Sequence, residues 1–89
     1  MAKYLYPAVF TKEDAGYSVN FPDLPNCFTS GETLAEAMEM ANDVLRLTLY
    51  DLEQNGAAIP AASAVNAVPH REDEFVSLVG CDTAYLFIT

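Results

Sequence analysis

Phe-Pro-Asp-Leu-Pro-Asn-Cys-Phe-Thr-Ser-Gly-Glu-Thr-Leu-Ala-Glu-Ala, residues 21–37, is the stretch whose reading decides the fold. It ends one strand, turns through two prolines, leaves room for a short strand at Cys27 to Thr29, and opens the one long helix. Thr33 stands where a helix N-cap belongs: its hydroxyl can accept from the backbone N–H three residues on, while the Glu36 carboxylate reaches back. Beyond it, Leu34, Ala37, Met38, Ala41, Val44, Leu45, Leu49 and Leu52 fall at the three-and-four spacing of one buried stripe, and Gly56 supplies the stop. About 22 residues rising 1.5 Å each make a rod of roughly 33 Å, as long as a small domain is wide. Such a rod needs a sheet to lie on.

Working outward, Lys3 to Thr11 reads as a first strand with Tyr4, Tyr6, Ala8 and Phe10 on one side and Leu5, Pro7 and Val9 on the other. Both sides are apolar, the mark of a strand covered on two faces. Pro7 lacks a ladder donor, so a bulge or a locally unpaired position is expected there. Lys12 to Gly16 is short enough to force an antiparallel hairpin into Tyr17, Val19 and Phe21, which alternate with Ser18 and Asn20. After Gly56, Ala57 to Pro69 reads as a surface connection with room for one helical turn after Ser63, limited by Pro60 and Pro69. Glu74 to Gly80 is a strand rich in branched residues, and the helix before it predicts a right-handed crossover returning it parallel to the first strand. Asp82 to Thr89 fits a short helix capped by Asp82 or a strand, with the helix preferred. The expected fold is α+β: three antiparallel strands, one long helix and a fourth strand (β-β-β-α-β) in a single domain, 1–89. One helix covers one face, so the opposite face needs the C-terminal segment, a second copy or another protein.

Composition narrows the function. The 89 residues are 52% apolar and carry 13 acidic against 4 basic side chains, a formal charge of −9. That field repels phosphate backbones, so nucleic-acid binding through this chain is not expected, and a basic protein is the natural complement. An acidic surface that only keeps a protein soluble explains the charge equally well. Cys27 and Cys81 lie in apolar runs without zinc-site spacing and read as reduced core thiols. No signal-peptide pattern precedes Tyr4 and no apolar run approaches a membrane span, which leads to the expectation of a soluble cytoplasmic protein without membrane contact.

Tyr-Pro-Ala-Val-Phe (6–10), Gly-Tyr-Ser-Val-Asn-Phe-Pro-Asp-Leu-Pro-Asn-Cys (16–27) and Thr-Ser-Gly-Glu-Thr-Leu-Ala-Glu-Ala (29–37) together resemble the HicB antitoxin family. Ile59-Pro60, Ser63 and the Phe75 to Val79 strand resemble its later segments. The resemblance implies a truncated ribonuclease-H-like fold. It also implies that the chain binds the small basic HicA toxin, an mRNA-cleaving ribonuclease, and masks its catalytic surface. Members of that family usually continue into a helix-turn-helix or ribbon-helix-helix segment that binds DNA. The expectation for residues 1–89 is a HicB-like domain with no DNA-binding domain.

A ribonuclease-H-like fold raises the question of catalysis. Two-metal phosphoryl cleavage needs three or four carboxylates converging on paired Mg²⁺ ions about 4 Å apart, and active members of that superfamily keep an Asp inside the first strand. Tyr4 to Phe10 contain no acid. Glu13 and Asp14 belong to a turn, Asp23 to a loop, and Glu36, Glu39 and Asp43 to the solvent side of the helix. His70 lies in the Pro-rich connection without a fixed Ser or Cys partner, and neither cysteine has a neighbouring cation to lower its pKa. No catalytic residue, metal ligand or cofactor site is expected. The partner-facing set chosen by exposure is Glu13, Asp14, Asp23, Glu32 and Glu36, with Leu24 and Pro25 as an apolar anchor; packing within the turn accounts for that pair equally well. Three readings follow. The first is a toxin-binding antitoxin, itself a dimer or higher homo-oligomer. The others are a stand-alone homodimeric regulatory or ligand-sensing module without a toxin, and a metal-dependent hydrolase.

Overall fold

Thr33 caps the helix as its position demands, accepting from the Glu36 N–H at 3.0 Å, while Glu36 Oε1 accepts from the Glu32 N–H at 2.8 Å. The first bond satisfies one of the backbone donors that a helix start leaves without internal partners, and the second ties the residue before the cap to the first turn. The computed structural model describes residues 2–85. It contains strands β1 (Lys3–Glu13), β2 (Gly16–Asn20) and β3 (Phe28–Gly31), helix α1 (Leu34–Gln54), a 3-10 turn at Val65–Ala67, strand β4 (Glu74–Asp82) and a second 3-10 turn at Thr83–Tyr85. Leu86 to Thr89 fall outside the described residues. Of the stretch read as a short helix or a strand, Asp82 ends β4 and Thr83–Tyr85 form a 3-10 turn, in which the Asp82 carboxylate accepts from the Ala84 N–H at 2.9 Å. The helix ends as Gly56 predicted. Gly56 takes φ +63°, its N–H donates to Glu53 O at 3.2 Å, and the Ala57 N–H donates to Leu52 O at 3.0 Å, closing a Schellman motif.

The sheet has the order β3-β2-β1-β4 and every neighbouring pair is antiparallel. This corrects the parallel crossover expected for β4. Helix α1 starts beside the end of β3 and finishes where Glu53 accepts from the Tyr4 hydroxyl at 2.6 Å, next to the start of β1. A short connection from there would have given a parallel strand. Instead Ala57 to Asp73 runs back along the molecule, held by the Tyr6 hydroxyl donating to Pro60 O and by Ser63 donating twice to the Asp23 carboxylate, at 2.8 and 2.6 Å. About 17 mostly extended residues reach up to roughly 55 Å, well beyond the ~30 Å of a nine-residue strand. β4 therefore enters at the far end and pairs Glu74 with Thr11 and Asp82 with Lys3.

No bulge forms at Pro7. The register with β4 passes through Pro7↔Leu78 without a slip. The ladder with β2 begins only at Val9↔Asn20, so β2 loses no partner to the missing donor.

Tyr6, Ala8, Phe10, Val19, Phe21, Cys27 and Val79 bury one face of the sheet against Ala37, Ala41, Leu45 and Leu49 of α1. Met38, Val44 and Leu52 complete the predicted stripe as partly buried members, whereas Leu34 in the first turn stays exposed. The helix comes closest at Gly31, where an added Cβ would lie 2.4 Å from Ala37 N and 2.7 Å from Ala37 Cα. Both obstacles are backbone and cannot rotate away. Gly31→Ala is expected to lower the unfolding free energy by about 2–3 kcal/mol. Gly56→Ala, which meets no atom within 4 Å and bears only left-handed strain, should cost about 1 kcal/mol. Urea denaturation of the two variants measures the contrast; equal losses would refute close approach as the reason for Gly31.

Candidate partner-binding site

Strand alternation sends the even-numbered residues of β1 to the helix and the odd-numbered ones to the other face. Cross-strand register extends that face through Leu5 and Gly80, Pro7 and Leu78, Val9 and Val76, then Asn20 and Phe28; within it Pro7 is fully buried by its neighbours. Leu5, Leu78 and Phe28 are 59%, 46% and 64% exposed, and Val9 and Val76 are half-buried. Further along, the face turns polar. Thr11 Oγ1 donates to Glu74 Oε2 at 2.8 Å and Ser18 Oγ donates to Glu13 Oε2 at 3.3 Å. Half of the face is thus an apolar platform and half a hydrogen-bonded polar surface, while no described element lies over Leu5, Phe28 or Leu78 deeply enough to bury them.

The seven residues expected to face a partner separate into two groups. Glu13, Glu32 and Glu36 surround one hollow of about 310 Å³ floored by Gly16 and Gly31, at the end where β1 turns into β2 and β3 meets α1. Asp14 is exposed on the adjoining turn. Asp23 instead anchors Ser63 of the long connection. Leu24 is 2% exposed and belongs to the core, so its side chain is not an anchor for another protein; packing within the turn, the other reading weighed for it, applies. Pro25 stays exposed. The sequence places Leu5 and Val9 on the side away from the helix, but gives no such place to Phe28. Phe28 reaches that face through its register opposite Asn20 on the wet side of β2, which local sequence does not mark.

A second cluster fixes the opposite end. Thr83, fully buried, accepts from the Ala2 N–H at 2.9 Å and donates to Glu53 Oε2 at 3.2 Å, the oxygen that also accepts from Tyr4. The Tyr4 hydroxyl holds the Glu53 carboxyl below its usual range, and that hydrogen bond, with burial and the Glu53 charge, pushes the Tyr4 phenol up to about 12. Glu74 is also held low, first by the Arg71 N–H and then by the Thr11 hydroxyl. Burial raises the Cys27 thiol and pushes Cys81 up to about 11, which keeps both protonated and unreactive. His70 Nδ1 lies 3.1 Å from Val68 O. Among the described residues no three His, Cys, Asp or Glu side chains are placed to hold a metal ion, and no helix is long and apolar enough to cross a membrane.

Fold and site together define a class: a one-helix, four-stranded antiparallel α+β domain with a half-apolar bare face and carboxylates gathered at one end. The chain belongs to the HicB-like antitoxins of bacterial toxin–antitoxin systems, whose family model matches residues 6–86. It is 31% identical over 85 residues to a 14.9 kDa protein from the rep-hol intergenic region of Haemophilus phage HP1, covering 92% of this chain and 64% of that one. It is 43% identical over 67 residues to Antitoxin HicB of Escherichia coli K12, covering 73% of this chain and 48% of that one. The chain therefore spans between about half and two thirds of the length of these relatives. A solved toxin–antitoxin complex from Streptococcus pneumoniae contains a chain that superposes with a TM-score of 0.83 at 29% identity, over 92% of this chain and 71% of that one.

Because Glu53 and Glu74 titrate lower folded than unfolded, each contributes stability above the ordinary carboxyl value of 4.5, and that contribution disappears as pH falls through the lowered folded values. Tyr4 works in the opposite sense: its raised pKa stabilises the fold below the ordinary value of 10.0, and this is lost as pH rises toward about 12. Melting temperatures of Glu74→Gln should fall less steeply than wild type below about pH 4.5, and those of Tyr4→Phe less steeply above about pH 10. Parallel curves would contradict the assignment.

Proposed function

We propose that this chain is the antitoxin of a type II toxin–antitoxin pair, binding a small basic HicA-like toxin and masking its mRNA-cleaving surface. One observation carries the reading: an acidic domain leaves Leu5, Leu78 and Phe28 exposed on a sheet face that its single helix cannot reach. An apolar platform beside carboxylates is complementary to a protein with an apolar patch and a cationic rim. Family membership supports the same reading, as does the toxin–antitoxin complex containing its structural neighbour.

In this reading the protein is not an enzyme. Glu13, Glu32 and Glu36 share a hollow without forming a metal-holding group, and nothing cationic is clustered that would attract nucleic acid. It acts in the cytoplasm, where its toxin meets mRNA, and its own copies associate alongside the toxin. Glu13, Asp14, Glu32 and Glu36 steer the basic partner, with Asp23 and Pro25 closer to the far end. Because the Glu36 carboxylate also accepts from the Glu32 N–H at the start of α1, Glu13 and Glu32 are the cleaner positions to alter.

Co-expression with the small basic reading frame beside its gene should yield a co-purifying complex and relieve growth arrest. A failure of both refutes the antitoxin reading, and a toxin-free homodimer with a dry twofold interface would establish the stand-alone regulatory alternative. Glu13→Lys with Glu32→Lys should slow association with the toxin roughly tenfold at low salt and leave dissociation nearly unchanged, as expected of rim charges. Stopped-flow mixing at two ionic strengths measures this, and an unaltered association rate removes these residues from the steering role.

A further inference from the structure

β4 is an edge strand of nine residues with neither Lys nor Pro in it, the two residues natural edges commonly use to discourage pairing. Three observations fix which of its backbone groups point outward. Pro7, opposite Leu78, has no N–H to give. The Gly80 carbonyl is turned to the Asn42 amide of α1, and the Glu74 N–H donates to Arg71 O at 3.1 Å. Hydrogen-bonded and non-bonded pairs alternate along an antiparallel ladder, so Glu74, Val76, Leu78 and Gly80 all present their backbone away from β1. Asn42 and the Arg71 turn close the two ends of that row, and Ser77 Oγ reaches the Leu78 carbonyl at 3.2 Å. Among the described residues, the Val76 N–H and carbonyl and the Leu78 N–H remain open in between. The opposite edge, β3, is four residues long and has α1 packed closely against Gly31.

Building on the antitoxin reading, we infer that the toxin docks by adding one of its own strands to the outer edge of β4 at Val76–Leu78, so that its apolar side chains continue over Leu78 and Leu5 of the bare face. Strand addition takes its affinity from main-chain hydrogen bonds and its specificity from alternate side chains, and Leu78 and Val76 lie on the apolar face immediately inside the edge. Charge selects the occupant. Glu72, Asp73 and Glu74 precede the open positions, and Arg71, 3.3 Å from both Asp73 and Glu74, offsets only part of their charge. A second copy would bring a further −9 against a chain of −9. A strand flanked by Lys or Arg answers the same edge with attraction.

Amide hydrogen exchange on the complex purified by co-expression tests the mode separately from the function. The Val76 and Leu78 amides should exchange at least tenfold more slowly in the complex than in the free chain, with β3 unchanged. Leu78→Asp, at an exposed position, and Val76→Pro, which deletes an outward N–H, should each weaken toxin binding tenfold or more, with folding checked by circular dichroism and melting. If Val76→Pro does not fold, Leu78→Asp and the exchange data decide. A stable complex in which both amides exchange as in the free chain overturns edge docking and leaves the antitoxin reading standing. Failure of any complex to form overturns both. Slowing of the same amides in the isolated chain as concentration rises, with a dimeric mass, assigns the edge to a second copy and overturns the toxin as its occupant.

Discussion

The contact between Gly31 and the backbone of Ala37 sets how α1 lies on the sheet. Only a residue without Cβ allows the end of β3 to touch the start of the helix at Ala37, and Ala37, Ala41, Leu45 and Leu49 continue from that contact as the buried stripe. Interiors are packed too tightly for such a contact to relax by a fraction of an ångström without neighbours moving. The Thr33 cap and the Glu36–Glu32 bond hold the same junction from the other side. The junction also forms the hollow bounded by Glu13, Glu32 and Glu36, so the arrangement that orients the helix gathers the carboxylates.

A single helix spans one face. The other is left as an apolar half bearing Leu5, Leu78 and Phe28 and a polar half in which Thr11, Ser18, Glu13 and Glu74 satisfy one another. In a domain this small, exposed large apolar side chains grouped on one sheet face signal association more than scattered ones do. In the proposed antitoxin role the acidic charge and the apolar platform have distinct consequences: charge would govern encounter and the choice of partner, and apolar burial how long the partner stays.

The long connection from Ala57 to Asp73 bears on function as much as the helix does. By carrying the chain back along the molecule it reverses β4, and the reversed strand presents Glu72, Asp73 and Glu74 at the polar end of the bare face and Cys81 and Asp82 beside the N-terminus. The bonds that guide it, from Tyr6 to Pro60 and from Ser63 to Asp23, draw on residues far apart in the chain. Asp23 thereby anchors the connection, and Leu24 beside it lies in the core.

Local chemistry alone determined much of this protein. The Thr33 cap, the stripe from Ala37 to Leu52, the Gly56 stop, the hairpin at Lys12 to Gly16 and the branched run after Glu74 are each written within a few residues, because caps, turns and amphipathic periods depend on near neighbours. That the helix would reach only one face of the sheet followed from counting one helix against four strands. Tertiary structure decided the rest. The direction of β4 depended on the path of a connection fixed by distant hydrogen bonds, Pro7 was accommodated because β2 pairs only from Val9 onward, and Phe28 came to the bare face through its register with Asn20. Which acids gather at Gly16 and Gly31, and which are spent on anchoring, was settled only when the strand ends met the helix, since proximity between residues far apart in sequence is a property of packing and leaves no mark on local pattern.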